Sequence, residues 1–151
     1  LRVIARAGVG YDRVDLTAAT SRGIPVTITP TANYDAVAEQ AIALLFAIAK
    51  SVVVNDRRAR GGWERQMTRP VRGSTLGLFG LGRIGRAVAV RALGLGMRVL
   101  ACETQPDRQF VEEQSIELVD ESWKVVHRTG RCESTWNRNQ YNFLTGKQIV
   151  C

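Results

Sequence analysis

Few of the residues that build metal centres and disulfide frameworks are present in this chain. It has 3 cysteines and 1 histidine in 151 residues. Cys102, Cys132 and Cys151 are widely separated and form no C-x-x-C or mixed Cys/His pattern, so no metal site is predicted. The odd cysteine count and the lack of an opening signal peptide favour a cytoplasmic protein.

Long apolar runs, internal repeats and low-complexity tracts are also missing. The most apolar segment, Ala41–Ala49, is too short to cross a bilayer and is flanked by Glu39, Gln40 and Lys50, so no membrane partner is predicted. With 151 residues, 45% of them hydrophobic and 23% charged, the chain is long enough for one globular domain with a core. It begins at Leu1 rather than Met, which indicates a fragment.

Acidic residues are in the minority, and the net charge is +7. No motif that reads nucleic-acid bases accompanies the basic residues, so a solvated basic face is the favoured interpretation and nucleic-acid binding the weaker alternative. The basic residues concentrate in two groups. They are Arg57, Arg58, Arg60, Arg65, Arg69 and Arg72, and then Lys124, Arg128, Arg131, Arg138 and Lys147.

What the chain does contain is a glycine-rich turn between two apolar segments. Thr75–Phe79 is long enough for one buried strand, and Met97–Ala101 is typical of the next strand. Between them, Gly80, Gly82 and Gly85 have G-x-G-x-x-G spacing, and apolar residues follow at helical intervals. This order of strand, glycines, helix and strand predicts a dinucleotide-binding β-α-β unit.

Each residue of this unit has a physical task. Gly80 permits a tight turn, Gly82 lets a pyrophosphate approach the backbone, and Gly85 lets the helix pack closely on the strand. The N terminus of the helix attracts the phosphate charge. Glu103, at the end of the second strand, would accept hydrogen bonds from the adenosine ribose and repel a 2′-phosphate, which favours NAD over NADP. The alternative is a glycine turn in a doubly wound sheet that holds no ligand.

The segment before this unit predicts a partial domain and a long helix. Arg2–Ala7 and Ile24–Ile28 are typical of short strands, and Asp15 caps a helix between them. Apolar residues then recur at three- and four-residue steps, which predicts one amphipathic helix from about Asp35 to Arg60. So long a helix indicates a strut between a partial first domain and the nucleotide-binding domain.

Five motifs in fixed order resemble the D-isomer-specific 2-hydroxyacid dehydrogenases, above all the phosphoglycerate dehydrogenase-like members, over about residues 2–121. The resemblance implies an α/β fold: a partial Rossmann-type NAD-binding domain with a parallel sheet, plus the end of a flavodoxin-like substrate domain. The implied division is a partial substrate domain (1–34), a long inter-domain helix (35–60), the first half of the NAD-binding domain (61–121) and a disrupted continuation (122–151). The motifs are Arg6–Leu16, Val37–Glu39, Gly61–Trp63, Arg72–Gly77 and Gly80–Gly85.

The resemblance also implies a function and a set of site residues. Family members transfer hydride between NAD and a 2-hydroxy acid, usually as dimers or tetramers. Ala36–Trp63 is the predicted dimer interface, with intramolecular packing between domains as the alternative. Glu103 matches the family's usual Asp and is one methylene longer. The loop at Val9 and Gly10 matches one whose N–H groups face substrate and nicotinamide, with a plain strand-ending turn as the alternative. The implied cofactor-binding residues are Gly80, Gly82, Arg83, Ile84, Gly85, Glu103 and Val9, and the implied substrate-binding residues are Val9 and Gly10.

The family pattern breaks over residues 122–136, which are basic with little apolar periodicity, and returns from Asn137. One hypothesis is a pair of compensating reading-frame changes, which resequencing of the coding DNA would test. The family's catalytic Arg, Glu and His are not matched, and the single histidine, His127, falls in the disrupted stretch, so no catalytic residue is predicted. Strands that are central in the family would become edges, so the isolated chain is expected to be marginally stable or to need a partner.

Three functions follow as hypotheses. The first is an NAD-binding fragment of a 2-hydroxyacid oxidoreductase that is not catalytically competent alone. The second is a non-enzymatic, NAD-responsive interaction protein. The third is a non-functional product of a decayed gene. Which 2-hydroxy acid is the substrate cannot be read from these motifs.

Overall fold

The computed structural model describes residues 1–62 and 67–120, and the backbone of two strands within residues 144–150. The chain divides into two compact units, Leu1–Val37 and Ala38–Cys151, each with a sheet of its own. The disrupted stretch 122–136, with His127 and the proposed frame changes, lies outside the described residues.

The first unit is a small β-α-β arrangement. Strand β1 (Ile4–Ala5) pairs in parallel with β2 (Val26–Thr27), and helix α1 (Leu16–Ser21) connects them. The Asp15 carboxylate accepts a hydrogen bond from the Ala18 N–H, which confirms the predicted helix cap. Both strands are shorter than the sequence predicts.

Two helices follow, α2 (Tyr34–Ala49) and α3 (Val52–Gly61), and they are bent by 52° from each other. The prediction of one helix from Asp35 to Arg60 is therefore wrong. Ser51 adopts a left-handed conformation with φ 51°, which ends a right-handed helix. In a continuous helix, the Lys50 carbonyl would accept a hydrogen bond from the N–H of residue 54. Here it accepts instead from the side-chain amide of Asn55 at 2.9 Å.

Besides most of α2 and all of α3, the described part of the second unit contains five strands and two further helices. The strands are β3 (Thr75–Phe79), β4 (Arg98–Cys102), β5 (Glu117–Leu118), β6 (Leu144–Thr145) and β7 (Gln148–Val150), and the further helices are α4 (Arg83–Gly94) and α5 (Arg108–Glu113). The spatial order is β5-β4-β3-β7-β6. All neighbours pair in parallel except β6 and β7, which are antiparallel.

The two strands of the predicted β-α-β unit are present. β3 has the predicted bounds, and β4 begins one residue later than predicted, at Arg98. The expectation that central strands would be left as edges is wrong for β3, because β7 pairs with it from Thr75 to Gly77. β4 is likewise covered on both sides, by β3 and β5.

The core of the second unit lies between the sheet and α4. The middle of each of the two central strands is buried on both faces, as expected of parallel strands covered by helices. Alanines on α4 let the helix approach the sheet closely. The buried apolar residues of these elements are Leu76, Leu78, Val99, Leu100, Ala101, Ala87, Val88, Ala89 and Ala92.

One further property of the helices concerns membranes. Within the described residues, no single helix is both long enough and apolar enough to span a bilayer, although α2 and α3 taken together as a bent pair meet that test by length and composition.

Candidate dinucleotide-binding site

The turn after β3 contains three glycines in different physical situations. Gly80 has φ +99°, and its N–H donates to the Cys102 carbonyl at 2.9 Å, which joins the ends of the two central strands. A Cβ on Gly85 would lie 2.4 Å from the Gly80 carbonyl oxygen, so no larger residue fits there without movement. Among the described residues, and leaving its chain neighbours aside, a Cβ on Gly82 would meet no atom within 4 Å. Gly82 therefore keeps the surface open rather than relieving a contact within the protein.

The N terminus of α4 faces this open surface. Gly82 is the N-cap residue and offers no side chain to accept from the first N–H groups of the helix. Arg83 and Ile84, the first two helical residues, are exposed. The partial positive charge of an uncapped helix end favours an anion such as a phosphate.

Glu103 follows β4 and reaches back to the glycine turn. One of its carboxylate oxygens accepts from the Leu81 N–H at 2.7 Å, and the other accepts from the Gln105 N–H and the Thr104 hydroxyl, each at 3.2 Å. These bonds, the one from Leu81 foremost, lower the pKa of the Glu103 carboxyl below its ordinary value. The carboxylate is thus ionised at neutral pH and lies against the turn.

Arg86 and Asp107 complete the surroundings of the turn, and sequence reasoning missed both. Arg86 donates from Nε to the Leu81 carbonyl at 3.0 Å and from Nη1 to an Asp107 oxygen at 2.7 Å, and its guanidinium lies 5.2 Å from the Phe110 ring centre. Asp107 also caps α5, because it accepts from the Phe110 N–H. That bond, and then the Arg86 guanidinium, lower the pKa of Asp107.

A signal for the Asp107 cap was present in the sequence, since an Asp before a helical segment is a common N-cap. Arg86 carried none, because it falls in the helix between apolar positions and both its partners are found only in three dimensions. The Gly80–Gly85 turn and Glu103, by contrast, are brought together as expected from their places at the ends of adjacent parallel strands.

The predicted substrate loop lies in the first unit. The Gly8 N–H donates to the Thr29 hydroxyl at 2.7 Å, and the Thr29 N–H donates to the Gly8 carbonyl at 3.0 Å. The Arg6 guanidinium donates to the Gly10 carbonyl. Val9, between these anchored residues, is exposed. Thr29 and Arg6 thus fix the loop, and the sequence motif alone did not point to either role.

The family of this chain follows from comparison with known sequences. The sequence model of the D-isomer specific 2-hydroxyacid dehydrogenase catalytic domain matches residues 1–146. The chain belongs to this family. Its relatives include the D-3-phosphoglycerate dehydrogenase of Archaeoglobus fulgidus, 44% identical over 123 residues, which cover 80% of this chain and 23% of the relative. The glyoxylate reductase of Korarchaeum cryptofilum is 44% identical over 126 residues, which cover 79% of this chain and 38% of the relative.

Solved structures of 2-hydroxyacid dehydrogenases and related proteins share the fold. The TT0316 protein of Thermus thermophilus matches with a TM-score of 0.71 and 42% identity, over 79% of this chain and 39% of its own. The D-lactate dehydrogenase of Aquifex aeolicus, solved with NAD and lactic acid, matches with a TM-score of 0.69 and 29% identity. The match covers 80% of this chain and 37% of that one. The α/β, Rossmann-type fold is confirmed. The chain spans about two fifths or less of the length of these four proteins.

Proposed function

We propose that this chain is the cofactor-binding part of an NAD-dependent oxidoreductase that transfers hydride between NAD and a small 2-hydroxy acid. The observation that carries the proposal is the uncapped N terminus of α4, which opens beside Gly82 and next to the ionised Glu103. One end of that surface suits a pyrophosphate, and the carboxylate suits a pair of ribose hydroxyls.

The residues present fit this cofactor. The backbone N–H groups of Arg83 and Ile84 would bind the pyrophosphate, with Gly80, Gly82 and Gly85 shaping the turn. Glu103 would accept from the ribose hydroxyls and disfavour a 2′-phosphate, so NAD is preferred over NADP. When bound, NAD supplies the hydride acceptor. By the family resemblance, the N–H groups of Val9 and Gly10 would bind the carboxylate of the acid.

The 151 residues by themselves are expected to bind NAD without turning over a 2-hydroxy acid. Removing a hydride from an alcohol also requires a base for the hydroxyl proton. By the family resemblance this base is a His paired with a Glu, and an Arg binds the substrate. No motif of this chain matches these three residues. Relatives named for 3-phosphoglycerate and glyoxylate support a small 2-hydroxy or 2-oxo acid as substrate of the whole protein.

Two further proposals concern partners and location. We place a homodimer interface within Ala36–Trp63, of which Trp63 lies outside the described residues. Exposed apolar side chains on α2 and α3, among them Leu44, Ile48 and Val53, support this interface. The cytoplasmic location and the absence of nucleic-acid and membrane partners remain predictions from the sequence.

Isothermal titration calorimetry of the 151-residue chain with NAD, and with NADP as the comparison, tests the cofactor proposal. We expect NAD to bind and NADP to bind more weakly. Gly82→Ala should weaken NAD binding roughly tenfold or more, because its Cβ fills the open surface without touching the protein. Gly94→Ala, also with open space around its Cβ but at the far end of α4, is the matched control. A folded chain that binds neither nucleotide would overturn the proposal.

A further inference from the structure

We propose that Arg86 is a positioning residue for the dinucleotide pyrophosphate: it fixes Leu81, and with it the turn that leads into the N terminus of α4. The inference rests on the proposed function, because it assigns a further residue to the same site. It concerns a side chain outside the glycine motif.

Leu81 is held at three points. Its N–H donates to Glu103 at 2.7 Å, and its carbonyl accepts from Arg86 Nε at 3.0 Å. Its side chain is 2% exposed and belongs to the core. Gly82 follows directly, and a glycine by itself restricts the backbone very little. The anchoring of Leu81 therefore decides how the open turn is presented to a ligand.

Arg86 is itself held in place. Its Nη1 is bonded to Asp107 at 2.7 Å, and its guanidinium lies over the Phe110 ring at 5.2 Å. Asp107 is in turn fixed as the N-cap of α5. Side chains of a helix lean toward its N terminus, which is how Arg86, in the first turns of α4, reaches back to a carbonyl of the turn.

These contacts assign Arg86 a role other than binding phosphate directly. Nε and Nη1 are committed to protein acceptors, and the planar guanidinium makes both bonds at once, which a lysine ammonium on a flexible stem cannot reproduce. If Arg86 acted only through its positive charge, lysine would replace it. If it acts by holding the turn, lysine would not.

The test compares Arg86→Lys and Arg86→Gln with Arg91→Lys and Arg91→Gln in the 151-residue chain. Arg91 is on the same helix, has a side chain 32% exposed against 37% for Arg86, and also takes part in an ion pair, with Glu39. The ligands are NAD, ADP, which keeps the pyrophosphate, and adenosine, which lacks it. Calorimetry measures the first two, and ligand-observed NMR measures adenosine.

We expect both Arg86 variants to bind NAD and ADP roughly tenfold more weakly and adenosine within about twofold of the unaltered chain. Both Arg91 variants should bind all three ligands unchanged. Should Arg86→Gln not fold, Arg86→Lys carries the comparison. The proposal is overturned if Arg86→Lys binds ADP normally, if adenosine binding falls as much as ADP binding, or if the Arg91 variants lose as much. An unaltered chain that binds no NAD overturns the proposed function itself.

Discussion

At the scale of single residues, glycines of one motif are required for unlike reasons. Gly85 lies against the backbone of Gly80, so a side chain at Gly85 would disturb the packing of the protein itself. Gly82 borders open space, so a side chain there would disturb only the proposed ligand. Spacing alone cannot separate these two cases, because both glycines satisfy the same motif.

Gly85→Ala is expected to lower the free energy of unfolding by about 1–3 kcal/mol, because its Cβ would press on a backbone oxygen that cannot move away alone. Gly94→Ala should raise it by about 0.5–1 kcal/mol, since alanine is the better helix former and its Cβ would meet none of the described residues outside its own helix within 4 Å. Urea unfolding followed by circular dichroism measures both. Equal effects of the two substitutions would contradict the packing assigned to Gly85.

The Glu103 carboxylate predicts a pH dependence of stability. Its folded-state pKa is lower than the ordinary 4.5, so the group stabilises the fold above pH 4.5 and ceases to do so as the pH falls through its folded-state pKa. We expect Glu103→Gln to be less stable than the unaltered chain at pH 7. The difference should shrink and vanish well below pH 4.5, where both side chains are neutral. Urea unfolding over that pH range provides the comparison, and a difference that persists in acid would contradict it.

At the scale of elements, hydropathy patterns predicted what depends on local sequence. β3, α4 and the cap of α1 follow from runs, periods and capping residues. The break at Ser51 does not, because the valines of residues 52–54 continue the apolar pattern and the left-handed Ser51 becomes evident only in the backbone. Likewise, the contact between Arg86 and Asp107 joins residues 21 positions apart. Tertiary contacts of this kind leave no periodic trace in a single sequence.

The bend between α2 and α3 can be tested at Ser51. Its side chain makes no capping hydrogen bond, so replacing it removes no such contact. Ser51→Gly should stabilise the chain by up to about 1 kcal/mol, because glycine tolerates φ 51°, and Ser51→Val should destabilise it by about 1–2 kcal/mol. Thermal and urea unfolding report both. A stabilising valine would mean that the helix runs straight through residue 51.

At the scale of the whole molecule, the exposed apolar side chains of α2 and α3 predict self-association. Val53→Lys should weaken the proposed dimer roughly tenfold or more, because a charge would be buried against the partner. Val90→Lys on α4 is the control, since Val90 is 45% exposed against 58% for Val53. Sedimentation equilibrium gives the dissociation constants. A monomeric unaltered chain, or equal weakening by both lysines, would contradict the interface.

Glu103 accepts a hydrogen bond from the Leu81 N–H and is also the residue proposed to bind the adenosine ribose. This affects any attempt to alter the cofactor preference. If Glu103 binds the ribose as proposed, exchanging it for a small neutral residue would admit a 2′-phosphate. The same exchange would remove the acceptor of the Leu81 N–H. A single substitution at Glu103 therefore changes both the preference between NAD and NADP and the anchoring of the turn. A redesign toward NADP would succeed sooner with a short side chain that still accepts a hydrogen bond, accompanied by a second substitution that restores the lost anchor.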